Sequence, residues 1–172
     1  MDSEDARELF MQYDGSRFYM SRDGREAEYL AADVPPELQA AWLAELKNEK
    51  LRHLAFRGNW QVPLFFLHHA DLDHLAHFIQ ARPRGVLWER CSFLDHLLAY
   101  AEAARQVGGD LDMIAQAARK SIREADRLLR RAKAASSINR IHDVLHRAHR
   151  LLREIDGREA APDLDLPPGP GR

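Results

Sequence analysis

From residue 111 to residue 132 the small and apolar positions Leu111, Ile114, Ala118, Ser121, Ala125, Leu128 and Ala132 recur at alternating steps of three and four. That spacing predicts an amphipathic helix with a narrow, alanine-rich seam suited to close packing. After a break expected at Ser136-Ser137, Ile141, Leu145, Ala148, Leu152 and Ile155 repeat with helical period, so the two segments are expected to form an αα-hairpin. The segment before them, 86–107, is apolar nearly all round (Leu87, Trp88, Cys91, Phe93, Leu94, Leu97, Leu98, Tyr100), the pattern of an enclosed central helix. Asp71, residues 83–85 and Gly108-Gly109 punctuate the chain from Trp60 onward, and connections this short demand antiparallel neighbours.

Upstream, Pro35-Pro36 starts a helix whose apolar stripe is Leu38, Ala41, Trp42, Leu46, Leu51 and Leu54, closed by Gly58-Asn59. A short helix capped by Asp2 or Ser3 opens the chain. Between the two, the turn signals Asp14-Gly15 and Asp23-Gly24 flank SRFYMS and REAEYL, a spacing that predicts a small β-hairpin. The tail REAAPDLDLPPGPGR carries too much proline, glycine and charge to pack, and disorder is expected there. The chain thus divides into an acidic N-terminal segment (1–34), a helical domain (35–156) and a tail (157–172). The fold class is mainly all-α, an irregular antiparallel helical bundle or HEAT-like α-α stack. DLDHLA at 71 and DLDMIA at 110 echo each other at a spacing close to helical-hairpin repeats, but the match does not extend, and a carboxylate cap is what any helix start favours.

With 172 residues the chain has the length of one domain, and its longest nearly unbroken apolar run, VPLFFL, is too short to cross a bilayer. The N-terminus MDSEDARELF lacks the basic and apolar regions of a secretory signal, so the expected location is cytoplasmic and no membrane partner is expected. The single cysteine, Cys91, lies in an apolar helical pattern and is expected to be a buried, inert thiol. The net charge of -2 conceals asymmetry: residues 1–56 hold 7 Lys+Arg against 12 Asp+Glu, and residues 110–156 hold 11 against 7. Such a division favours self-association or an oppositely charged protein partner.

One stretch suggests chemistry. HDVLHRAH places His142, His146 and His149 on one strip of a helix, at the boundary between its apolar face and its arginines. Residues seven apart lie roughly 10 Å apart along the axis, whereas two ligands of one zinc bring their nitrogens within about 4 Å, so only two of the three can share an ion. Further ligands would come from Asp71 and His74, with Asp73 and His77 beside them. Asp71-x-x-His74 and Asp143-x-x-His146 also loosely follow the carboxylate-histidine pairs of di-iron bundles, without the facing glutamates such a site needs. A metal site, zinc or di-iron-like, is therefore the alternative reading. Otherwise no cofactor is implied.

The chain holds no Gly-rich phosphate loop, no Cys-x-x-Cys pair and no strand-turn-helix setting for a serine nucleophile, so no catalytic residues are assigned. Arg119, Lys120, Arg123, Arg127, Arg130, Arg131 and Lys133 make the helix over 119–133 basic, but Glu124 and Asp126 interrupt it and no aromatics are interleaved for stacking on bases. Nucleic-acid binding is the third reading. The first is a non-catalytic helical module for protein interaction or regulation.

Overall fold

The computed structural model describes residues 2–157. Asp2 caps α1 (Ser3–Gln12): its carboxylate accepts the Glu4 and Asp5 amide protons, both at 2.9 Å, while the Asp5 carboxylate accepts from the Asp2 amide. This reciprocal arrangement satisfies donors that a helix start leaves free.

The expected hairpin is absent, and α2 (Arg17–Arg22) and α3 (Glu26–Leu30) occupy its place. The Asp-Gly signals end helices instead of turning strands. Gly15 and Gly24 both have φ near +70°; the Gly15 amide reaches back to the Phe10 carbonyl, and the Arg25 amide to that of Met20. A left-handed glycine serves a helix C-terminus as well as a hairpin turn, and the signal alone does not separate the two. Packing separates them here. Helical turns let Met20 and Tyr29 join Ala6, Leu9 and Phe10 in the core, and the Phe10 ring comes so close to Gly15 that a Cβ there would meet it at 2.7 Å.

Pro36 opens α4 (Pro36–His53), which buries Trp42 and Leu46 and packs on α1 and on α5 (Gln61–His68). After α6 (Leu75–Gln80) comes α7 (Leu87–Gln106), which meets α5, α6, α8 (Leu111–Leu129) and α9 (Ala135–Ile155) and buries ten of its residues. It is the central helix its all-round apolar pattern predicts. The predicted hairpin of α8 on α9 forms the most extensive helix pair, with Ile114, Ala118, Ser121, Ala125 and Leu128 buried along the seam. Leu111 is left half exposed at the helix start, and Ala132, partly buried, lies beyond the end of α8. The break before α9 falls at 130–134, so Ser136-Ser137 lies within the first turns of α9.

One continuous apolar cluster runs from Ala6 to Leu151, and the described residues form nine helices and no strand: an all-α bundle. The two DLD segments differ. Asp110 caps α8, whereas Asp71 lies in the connection before α6, which starts only after His74. The tail beyond Gly157 lies outside the described residues. No described helix is long and apolar enough to cross a membrane.

Candidate functional site

His142, His146 and His149 are all exposed on α9. Asp71 lies in the connection ahead of α6, where its carboxylate takes the Lys47 ammonium at 2.6 Å and approaches His74 Nε2 at 3.4 Å. Burial alone would raise the Asp71 carboxyl. The Lys47 contact, the Asp73 amide and His74 outweigh it and hold that carboxyl below its ordinary range. The histidine strip and the Asp71–His74 pair do not assemble. Among the described residues no group of three or more His, Cys, Asp or Glu is placed to hold a metal ion.

Of the concavities among the described residues, one gathers aromatic side chains and another arginines from distant parts of the chain. The first, about 280 Å³, lies between the α1–α2 turn and α5, lined by Asp14, Tyr19, Trp60, Leu64, Phe65 and His68 among others. Two of its lining rings touch aromatic side chains outside it. Tyr19 meets Phe18, which is 72% exposed, and Trp60 meets Trp88, which is 48% exposed, with ring centroids 5.4 and 5.6 Å apart. His69 Nε2 donates to the Asp14 carbonyl at 2.8 Å and fastens the α1–α2 turn to α5. Burial pushes the His69 imidazole below its ordinary pKa, with Lys47 and His68 acting in the same direction and Asp14 against it. His96 Nδ1 holds the Trp60 carbonyl, also at 2.8 Å.

The second, about 470 Å³, is a cleft lined by Arg82, Pro83, Arg90, Glu124, Arg127 and Arg131, drawn from the α6–α7 connection, α7, and α8 with the turn that follows it. Two buried polar residues position that connection. Asn59 donates to the Leu54 and Arg82 carbonyls and accepts from the Arg84 amide, and Lys120 Nζ donates to the Ile79 and Ala81 carbonyls. At its end Gly85 has φ +97°, and its missing Cβ makes room for the Glu89 carboxylate, which accepts from the Val86 amide at 2.7 Å.

Lys120 therefore departs from the solvated basic face the sequence predicts: it is buried, and burial lowers its pKa. Arg119, Arg123, Arg127, Arg130, Arg131 and Lys133 are exposed. Cys91 is buried as expected, and burial raises its thiol against the opposing influence of Arg140 and Arg90.

Comparisons with models of protein families, with curated proteins and with solved structures each return no match. The geometry alone carries the functional argument. Sequence reasoning did not find Arg82, Arg90 or Asn59. The signal available for them was the Pro83–Gly85 break, which marks a connection but not what it faces.

Proposed function

We propose that this chain is a non-catalytic helical module that binds a partner protein through the aromatic groove at the α1–α2 turn. The observation that carries this reading is the pair Phe18 and Trp88, large apolar side chains left exposed, each with its ring against a ring, Tyr19 or Trp60, that lines one concavity whose walls also include Leu64 and Phe65. Aromatic anchors beside a pocket are what concentrates binding energy in protein interfaces, and scattered exposed residues do not share a groove in this way. The acidic balance of residues 1–56 favours a partner whose surface around its apolar anchor is basic.

The test uses the full chain and a Phe18→Ser, Trp88→Ser double variant, each cross-linked in native lysate and each weighed by light scattering across a range of concentrations. The reading expects a partner that saturates the native protein and is lost from the variant, while the variant keeps its fold by circular dichroism. A concentration-dependent dimer of the native chain alone would make the partner a second copy. Equal retention by both proteins, or a monomer that retains nothing, overturns the proposal.

A further inference from the structure

We infer that the cleft between the α6–α7 connection and α8 is a binding site for the diphosphate or triphosphate group of a small molecule. Four guanidinium groups, Arg82, Arg90, Arg127 and Arg131, converge there from three separate elements, against one carboxylate, Glu124. Arg127 is occupied by Glu124 at 2.6 Å, whereas Arg82, Arg90 and Arg131 form no ion pair among the described residues. Arg90 Nε is shielded from solvent and has no protein acceptor, so no acidic or carbonyl group of the protein holds that end of the guanidinium.

A solvated arginine face needs no such construction. The connection that carries Arg82 is fastened from both sides by buried donors, Asn59 on the Arg82 carbonyl and Lys120 on the Ala81 carbonyl, so the main chain at Arg82 is fixed before any ligand arrives. Guanidinium forks arriving from several directions suit the tetrahedral oxygens of phosphoryl groups better than a planar carboxylate, which one or two forks saturate. Four arginines against one glutamate leave three positive charges, matching the charge of a diphosphate to triphosphate chain. The lining holds no aromatic side chain on which bases could stack, and the site is a single concavity instead of a track, so a small ligand fits it better than a nucleic-acid strand.

The experiment titrates the full chain with pyrophosphate, tripolyphosphate and ADP, without divalent cations and at near-physiological salt, by calorimetry and by thermal melting. Orthophosphate and sulfate at matched ionic strength serve as references. Saturable binding of pyrophosphate and tripolyphosphate is expected, tighter than either reference, with Arg131→Gln weakening it by at least about tenfold. Arg90→Gln should do the same, but Arg90 is half-buried, so the exposed Arg131 keeps the test valid if that variant fails to fold. Arg153→Gln, an exposed arginine of α9, should leave binding unchanged. ADP binding tighter than pyrophosphate assigns the phosphates to a nucleotide, and equal binding assigns them to an inorganic or non-nucleotide source. The inference is overturned by no binding at millimolar polyphosphate, by equal loss in Arg153→Gln, or by a DNA or RNA oligonucleotide that displaces tripolyphosphate and binds far more tightly. A salt-sensitive dimer seated through the acidic α1 of a second copy would overturn it too.

Discussion

The Lys120 ammonium lies 2.6 Å from the carbonyl oxygen of Ile79, so a residue of the basic helix α8 ends the helix α6. It reaches the Ala81 carbonyl as well. Lys120→Met keeps the apolar stem but leaves two carbonyls without their donor, and is expected to destabilise the fold by about 1–3 kcal/mol. Arg119→Gln, one residue earlier and exposed, should stay within about 0.5 kcal/mol of the native chain. Urea denaturation of both variants checks the contrast, which equal midpoints would refute.

Tyr100 is fully buried on α7, and its hydroxyl donates to the Asp71 carbonyl at 2.7 Å while accepting the His74 amide proton at 3.0 Å. Burial pushes the phenol well above its ordinary pKa, so it stays protonated and able to donate. Tyr100→Phe preserves the ring and removes both bonds. A loss of about 1–3 kcal/mol is expected, with faster hydrogen exchange of the His74 amide than in the native protein.

Glu102 receives Arg147 through both oxygens, at 3.0 and 2.6 Å, and Arg150 at 3.3 Å, which ties α9 to α7. Burial alone would raise its carboxyl, but the two arginines outweigh burial and the net shift is downward. A folded pKa below the unfolded value of about 4.3 means that the unfolded chain binds the proton first on acidification. The stability from this carboxylate is fully present above that value and is lost as pH falls through the lowered one. Glu102→Gln should flatten the acid limb of a stability curve recorded from pH 6 to pH 2.5. An unchanged limb would assign the acid sensitivity to other carboxylates.

His69 sets a separate window. Its imidazole is held below the ordinary value of 6.5, chiefly by burial against the α1–α2 turn. Between the lowered value and 6.5 the unfolded chain carries a proton that the folded chain does not, so stability rises with pH across that interval and is fully present above it. Denaturation at steps from pH 5 to 7.5 should show this slope in the native protein and a smaller one in His69→Gln. The same slope in both would place the titrating group elsewhere.

The repeating pattern of apolar positions was enough to determine that this chain is helical and which helix lies at its centre. Steps of three and four select the buried face of α8, and an all-round apolar helix has no exposed face to offer, so α7 must be enclosed. Those inferences hold because burial is a property of a residue and its near neighbours along the chain. The N-terminal segment shows where local signals stop. A glycine in the left-handed region serves hairpin and helix end alike, and only the packing of Met20 and Tyr29 into the core with Ala6, Leu9 and Phe10 of α1 selected α2 and α3. Lys120 shows the same limit from the polar side. Its spacing places it next to exposed arginines, but the carbonyls it satisfies belong to residues about forty positions earlier, and no periodicity encodes a partner at that distance. His142, His146 and His149 are the converse case, a pattern legible in the sequence that the tertiary structure leaves exposed and apart from Asp71 and His74. The arginine cleft exists only because three segments converge, and convergence is decided by which helices pack together.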